Sequence, residues 1–165
     1  MRTRIISAFP GVGKTYFFEN KKEYNCLDSD SSNFSWIIEN NEKKRNPDFP
    51  NNYITHIKQN IGKYDFIFIS SHKEIREALI ENCIHFYLVY PDFLDAEEKE
   101  RYMNIYKNRG NDEDFVKLIS LNWEKWLKEC FNTKQGCINL MMMPKKGWNL
   151  EKIIDLILRY EKDEV

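Results

Sequence analysis

The sequence has few of the features that indicate a membrane, extracellular or metal-binding protein. Its 165 residues contain no apolar run near the about 20 residues that a membrane-spanning helix needs. The four cysteines, Cys26, Cys83, Cys130 and Cys137, form no Cys-x-x-Cys pair, so we expect reduced core thiols rather than disulfides or metal ligands. The net charge of −1 argues against a broad nucleic-acid-binding surface, although not against a small charged pocket.

The length and composition indicate one globular domain over residues 1–165. Hydrophobic residues make up 42% of the chain, and a domain of this size buries roughly 70% of its unfolded surface. Met1 to Arg4 lead directly into an apolar run, which leaves no room for a secretory leader. We therefore expect a cytoplasmic protein.

Glycine is scarce, and two of the six glycines lie in one stretch near the N-terminus. Residues 5–15 read IISAFPGVGKT, an apolar run followed by a glycine-bearing turn. A buried strand that ends in such a turn and passes into a helix presents backbone N–H groups and a helix N-terminus to a phosphate. Gly11 and Gly13 supply the necessary backbone freedom. Lys14 is then placed to reach the β- and γ-phosphates, and the Thr15 hydroxyl to ligate magnesium.

This stretch resembles the P-loop, or Walker A motif, of the P-loop NTPases. One position departs from the usual pattern, since Ala8 stands where a glycine begins the motif. The resemblance implies ATP and Mg²⁺ as cofactors. It implies that the triphosphate is held by Pro10, Gly11, Val12, Gly13, Lys14 and Thr15.

The rest of the chain alternates between predicted strands and helices. Five strands separated by helices predict an α/β fold, a three-layer α/β/α sandwich with a five-stranded parallel sheet. The resemblance to the P-loop NTPases implies the nucleotide kinase-like form of this fold, with a helical lid. In such sheets ligands bind at the carboxyl ends of the strands. Beyond the first strand, the predicted strands are 24–27, 65–70, 85–90 and 137–142. The predicted helices are 15–22, one from about 33 that carries Phe34, Trp36, Ile37 and Ile38, then 53–61, 73–82, 95–108, 115–130 and 150–160, with a loop over 40–52.

The acidic partner of the metal is expected after the second strand. The core strand ends in Ser70 and Ser71, which offer hydroxyls, and Asp65 lies at its far end, about 16 Å away at ~3.3 Å per residue. Asp28 and Asp30 are the best remaining carboxylates.

The run from Asp28 to Asp30 resembles the Asp-Ser-Asp motif of the shikimate and gluconate kinases. That resemblance implies that Asp28 orients magnesium-bound water and that Asp30 accepts the proton of the attacking hydroxyl. The alternative is an ordinary helix cap after a strand, because the segment is rich in capping residues.

A lid is expected within residues 95–115. Arg101 and Arg109, beside the possible hinge Gly110, resemble the lid arginines of the nucleoside monophosphate kinases in location and residue type. Arg109 is assigned to catalysis and Arg101 to ATP binding. The alternative for Arg109 is a solvated helix face, and that for Arg101 is a helix-surface ion pair with Glu97, Glu98 or Glu100.

The acceptor is expected to contact Asp30, Phe34, His72 and Arg76, with Arg76 as a candidate for an acceptor phosphate. His72 is equally well explained as a helix-start residue. The apolar stripe of the 115–130 helix, including Trp123 and Trp126, is expected to pack against the sheet.

Three functions remain open from the sequence. The first is an ATP-dependent phosphotransferase, a P-loop kinase acting on a nucleotide, a nucleoside or a similar small hydroxylated acceptor. The second is a polynucleotide kinase, which the even charge balance disfavours, and the third is a non-catalytic nucleotide-binding module. We expect no membrane partner, and the sequence leaves the oligomeric state open.

Overall fold

A computed structural model describes residues 2–142 and 148–163. Within these ranges no helix combines the length and apolar character needed to cross a bilayer. The strands are β1 (Arg4–Ala8), β2 (Cys26–Ser29), β3 (Trp36–Glu39), β4 (Glu42–Arg45), β5 (Phe66–Ser70), β6 (Phe86–Pro91) and β7 (Cys137–Met142). The helices are α1 (Lys14–Asn20), α2 (Ser32–Ser35), α3 (Asn51–Asn60), α4 (Lys73–Glu81), α5 (Ala96–Asn108), α6 (Glu113–Asn132) and α7 (Leu150–Asp163).

Five strands form one parallel sheet in the order β2-β5-β1-β6-β7, which confirms the predicted α/β class and five-stranded parallel sheet. Strand β5, which lies between β2 and the central strand β1, is apolar at four successive buried positions, as expected for a strand covered on both faces. Ala8 is paired in register with Ser70 on one side and Val89 on the other. The carboxyl ends of β1, β5 and β6 therefore lie side by side.

Helices cover both faces of this sheet. On one face, Phe17 of α1 contacts Phe66 and Phe68 of β5 at ring-centroid distances of 5.9 and 5.7 Å. The alternate β5 residues, Ile67 and Ile69, are equally buried, so the second face is covered as well. The arrangement is compatible with the predicted three-layer sandwich.

The C-terminal helix is attached to the sheet through one buried carboxylate. Glu161 of α7 is 5% exposed at its side chain and pairs with Arg4 of β1 at 2.7 Å. The Tyr87 hydroxyl of β6 donates a hydrogen bond to the other carboxylate oxygen at 2.7 Å. Burial and this carboxylate raise the pKa of Tyr87 to about 12, so the hydroxyl keeps its proton at neutral pH.

Residues 36–45 form an antiparallel hairpin. The prediction of a helix that carries Trp36, Ile37 and Ile38 was therefore wrong. Helix α2 ends at Ser35, and β3 pairs with β4 from Trp36–Arg45 to Glu39–Glu42. The turn consists of Asn40 and Asn41, with φ angles of 53° and 62°. Two successive left-handed residues are what a tight hairpin turn requires, and asparagine tolerates them well.

The segment after β6 folds into a helical pair. Asp95 and Asp112 cap the helices α5 and α6 by accepting hydrogen bonds from Glu97 N and Phe115 N. The buried Trp123 of α6 contacts Phe9 at a centroid distance of 5.8 Å, and α6 also packs against β6 and β7. The expected packing of the α6 stripe is confirmed at this residue.

Candidate functional site

The glycine-bearing turn follows β1 with a backbone that only glycine adopts easily. Gly11 and Gly13 have φ angles of 85° and 105°, both in the left-handed region. Phe9 N donates to Val89 O at 2.9 Å, which fixes the start of the turn to the end of β6. The turn leads directly into α1, at whose start no side chain caps the helix.

Two tyrosines of α5 form a wall against the turn. A Cβ atom on Gly11 would lie 3.0 Å from Tyr106 Cε1 and 3.1 Å from Tyr102 Cε1, so close packing also requires glycine here. The Tyr106 hydroxyl donates to Pro10 O at 2.7 Å. Burial raises the pKa of both tyrosines, which keeps the Tyr106 hydroxyl protonated and able to donate.

Lys14 and Asp28 meet at the turn. The Lys14 ammonium lies 3.3 Å from Asp28 Oδ1, and the two side chains are 24% and 48% exposed. Asp28 belongs to β2 rather than following it, because this strand runs two residues further than predicted. Thr15 follows Lys14 in the first turn of α1 with an exposed side chain. The sequence-predicted Lys14 and Asp28 are therefore in contact, and both remain open to solvent.

Asp30 lies at the junction between β2 and α2. Its Oδ1 atom accepts a hydrogen bond from Ser32 N at 2.8 Å, a capping interaction that uses one carboxylate oxygen. The neighbouring Ser31 hydroxyl is 2.8 Å from the hydroxyl of Ser70 at the end of β5. Asp30 is exposed and lies next to the point where β2 and β5 end. The capping role is observed, and the predicted proton-accepting role stays a prediction.

The two arginines predicted to belong to a lid differ in their partners. Arg101 makes two hydrogen bonds to the buried Glu98, at 3.0 and 2.8 Å. Its guanidinium lies 4.8 Å from the Tyr102 ring centroid. These contacts are the helix-surface alternative considered for Arg101 and do not favour the predicted contact with ATP.

Arg109 ends α5 with an exposed side chain, and no described residue pairs with it. Its charge opposes the upward pKa shifts of Tyr102 and Tyr106, which lie against the turn. Arg109 follows Tyr106 by three residues, about one helical turn, and its exposed side chain is accessible to a ligand.

Arg76 is placed differently from the sequence prediction. It is 2% exposed, and its Nη1 atom donates to Glu129 O at 3.0 Å and to Thr133 Oγ1 at 2.5 Å. Its Nε atom is buried without a hydrogen-bond partner. The guanidinium is thus used to join α4 to the end of α6, and this placement speaks against the predicted contact with an acceptor phosphate.

Of the other predicted acceptor contacts, His72 lines a cavity beside the turn and Phe34 does not. His72 is the residue that precedes α4, and it lines a cavity beside the turn. Its packing lowers its pKa, so the imidazole is neutral at pH 7. Phe34 instead packs on Tyr53 and His56, at centroid distances of 5.0 and 4.7 Å, and is not among the residues lining the cavity.

The cavity itself was not predicted. It has a volume of about 500 Å³ and lies between α4, α6 and the start of the turn. One signal in the sequence points to it, since Leu118 and Leu127 of α6 lie about 180° apart at ~100° per residue. An apolar stripe this wide is more than packing on one sheet needs. The residues from α6 that line the cavity are Phe115, Leu118, Ile119, Trp126, Glu129 and Cys130.

The donor set fits magnesium held mainly by a nucleotide. Among the described residues no group of three or more His, Cys, Asp or Glu side chains is arranged to hold a metal. Magnesium commonly keeps several waters and binds one or two carboxylates together with substrate phosphates. The open Asp28 carboxylate and the exposed Thr15 hydroxyl, both next to Lys14, suit that mode.

No family model matches this chain, and no curated protein or solved structure matches it either.

Proposed function

We propose that the protein is an ATP-dependent phosphotransferase that moves the γ-phosphoryl group to a small hydroxylated acceptor. The observation that carries the proposal is the contact of Lys14 with Asp28 at the mouth of the turn, at 3.3 Å. A cation for phosphate and a carboxylate for its metal meet where two left-handed glycines shape the backbone. This is the combination that phosphoryl transfer needs, because its catalysis consists mainly of positioning and charge stabilisation.

Each residue of the site is given a role that matches its chemistry. The backbone N–H groups of the turn and the Lys14 ammonium bind the phosphates, with Lys14 exchanging its partner Asp28 for phosphate oxygens. Thr15 and Asp28 would hold the magnesium ion and its water. That ion, when bound, neutralises charge that develops on the phosphate oxygens.

Asp30 is the group proposed to take the proton. The acceptor hydroxyl oxygen forms a bond to the γ-phosphorus while the bond from that phosphorus to the β–γ bridging oxygen breaks, and the electron pair of that bond leaves with ADP. The proton of the hydroxyl passes to the Asp30 carboxylate. The hydrogen bond from Ser32 N to Oδ1 orients this carboxylate.

Helix α5 completes the site from the other side. Tyr106 holds Pro10 by its hydrogen bond, and Arg109 at the end of the same helix supplies a free cation. A guanidinium near the transferring group stabilises charge in the transition state.

The test is an ADP-release assay with Mg-ATP and a panel of acceptors. The panel holds nucleosides, nucleotides, sugar acids and 5′-hydroxyl oligonucleotides, with product identified by mass. Acceptor-dependent ADP release supports the proposal. ATP binding without release of ADP under any acceptor contradicts it and supports a nucleotide-binding module.

One observation favours the polynucleotide kinase as a second candidate. One face of the β3–β4 hairpin carries Trp36, Ile38, Lys43 and Arg45 and no carboxylate of its own, and Arg45 also pairs with Glu74 of α4. The Lys43 ammonium and the Arg45 guanidinium lie 4.9 and 5.5 Å from the Trp36 ring centroid. An exposed aromatic ring beside cations suits a stacked base and its phosphates. Activity confined to the oligonucleotide arm of the panel would select this function.

A further inference from the structure

The cavity between α4 and α6 opens beside the proposed transfer site. Phe9 and Pro10 of the turn line it on one side, and Ser71 and His72 after β5 line it on another. Ser31, next to the proposed proton acceptor Asp30, has its hydroxyl 2.8 Å from the hydroxyl of Ser70, and Ser71 after it lines the cavity. The cavity of about 500 Å³ is within the size range of small-molecule sites, ~300–1,000 Å³.

One wall of the cavity is apolar and carries an aromatic ring. Phe115, Leu118 and Trp126 line it, and Leu118 is 52% exposed although it is a large apolar side chain. Trp123, one turn before Trp126, contacts the rings of Phe9 and Tyr102, whereas no ring of a described residue lies against Trp126. An exposed apolar surface with an unpaired indole suits a flat ring that covers both.

The charges around the cavity oppose an anionic occupant. Three carboxylates, those of Glu74, Glu77 and Glu129, line it. Two cations line it as well: Lys73 pairs with Glu77 at 3.7 Å, and the buried Arg76 donates through Nη1 to the end of α6 while its Nε atom has no hydrogen-bond partner. Three carboxylates against two cations leave the lining with a net negative charge, which disfavours a phosphate group.

Glu129 is the carboxylate that suits recognition. Glu74 forms an ion pair with Arg45, and Glu77 pairs with Lys73. Within residues 2–142 and 148–163 the Glu129 carboxylate has no hydrogen-bond or ion-pair partner, and its residue is only half-buried. A carboxylate beside Trp126, three residues earlier on α6, accepts hydrogen bonds from the N–H groups of a ring stacked on that indole.

We propose that the α4–α6 cavity binds the acceptor of the transfer, and that this acceptor is an uncharged nucleoside rather than a nucleoside monophosphate. The transfer of phosphate to the nucleoside rests on the proposed function, whereas the binding of the nucleoside in the cavity does not. The base lies against Trp126 and Leu118 and donates hydrogen bonds to Glu129. The sugar hydroxyl points to Pro10 and Asp30, where it forms its bond to the γ-phosphorus, gives its proton to Asp30 and releases ADP.

The binding test is calorimetry without ATP, using four nucleosides and their 5′-monophosphates as matched pairs. We expect at least one nucleoside to bind about tenfold more tightly than its own monophosphate. A monophosphate that binds as well as its nucleoside overturns the inference, and so does the failure of every nucleoside to bind.

Matched variants on α6 locate the site. Leu118→Glu puts a charge into the cavity and is expected to weaken nucleoside binding about tenfold or more. Leu121 is 75% exposed, is absent from the cavity lining and lies on the same helix, so Leu121→Glu should bind as the unmodified protein does. Equal effects of the two substitutions overturn the location. Circular dichroism checks that both variants are folded.

Glu129→Gln tests the charge argument with a readout that a structural role would not change. The substitution keeps the side-chain shape but removes the negative charge, so the preference for nucleoside over monophosphate should narrow. An unchanged preference overturns the role of Glu129. If nucleosides bind but Mg-ATP yields no transfer, the binding inference stands and the proposed function fails. If phosphate is transferred to monophosphates and Leu118→Glu has no effect, the function stands and the inference fails.

Discussion

The turn after β1 and the α4–α6 cavity are built in opposite ways. The turn is one short run, residues 9–15, whose shape depends on two glycines with φ angles of 85° and 105°. The cavity is assembled from separate segments, Phe9 and Pro10, residues 71–77 and residues 115–130. The comparison teaches that the proposed phosphate-binding residues form one contiguous run, whereas the proposed acceptor cavity depends on how two helices dock. Substitutions in the turn should therefore abolish transfer, and substitutions in the cavity should only redirect it.

The largest expected effect is that of Lys14→Ala. Loss of the ammonium removes the cation beside Asp28, and we expect turnover to fall by about 10³–10⁵-fold, as for other cations that stabilise phosphoryl transfer. The measurement is ADP release with acceptor present. Lys22→Ala, an exposed lysine beyond the end of α1, is the matched control and should keep full activity. A retained rate in Lys14→Ala would contradict the assignment of the turn.

Asp30→Asn should slow transfer by about 10²–10⁴-fold and leave ATP binding unchanged. The asparagine carbonyl still accepts the hydrogen bond from Ser32 N, so the junction keeps its shape while the proton acceptor is lost. Rates at saturating ATP together with calorimetric ATP binding separate the two effects. Asp48→Asn, at another exposed aspartate, is the control. Full activity in Asp30→Asn would leave only the capping role.

Arg109→Ala should mainly lower the transfer rate, whereas Arg101→Ala should mainly lower the stability. Loss of the unpaired Arg109 is expected to lower the transfer rate by up to about 10²-fold with little change in stability. Loss of Arg101 leaves the buried Glu98 without its partner and should cost about 1–2 kcal/mol of unfolding free energy, since the pair is half-exposed. Equal effects on rate would show that both arginines serve the site.

Gly11→Ala tests the packing of the turn against α5. Gly110→Ala is the control, because both glycines have positive φ but nothing lies within 4 Å of a Cβ on Gly110. The control should cost about 1–2 kcal/mol of unfolding free energy from backbone strain alone. Gly11→Ala should cost about 1–3 kcal/mol more, from overpacking against Tyr102 and Tyr106. Urea unfolding measures both variants, and equal costs would contradict the close packing.

The smallest effect concerns pH. Desolvation lowers the pKa of His56 and of His72 from the ordinary value of 6.5. Below pH 6.5 the unfolded chain therefore binds more protons than the folded one, and stability falls as the pH drops until the folded-state pKa is passed. Unfolding free energies at pH 7.5 and 5.5 measure this loss. His56→Gln and His72→Gln should each reduce this loss of unfolding free energy. An unchanged loss in both variants would contradict the lowered pKa values of the two histidines.

The sheet and the turn were predictable because both depend on local runs. The apolar β5 and the stretch from Ile5 to Thr15 specify their conformation within a few residues. The hairpin was missed because Trp36, Ile37 and Ile38 fit a helix or a strand equally well. The decisive signal was the Asn40–Asn41 turn, whose two residues adopt positive φ.

The acceptor side was predicted less well because it depends on tertiary packing. Arg76 follows the buried Ile75 and precedes the buried Ala78 and Leu79, so its burial is set by how α4 meets α6 and not by its residue type. The same docking forms the cavity, whose walls lie some 50 residues apart in the chain, as the Arg76–Glu129 separation shows. No local pattern specifies that distance.

The buried carboxylate of Glu161 has a practical consequence for handling the protein. A truncation that ends before this residue removes the shared partner of Arg4 and Tyr87. It leaves a cation and a hydroxyl without partners at the amino-terminal ends of β1 and β6. Affinity tags and fusion partners are therefore better attached beyond Asp163 than substituted for the last turn of α7. Proteolysis that removes Glu161 should therefore lower the stability of the fold.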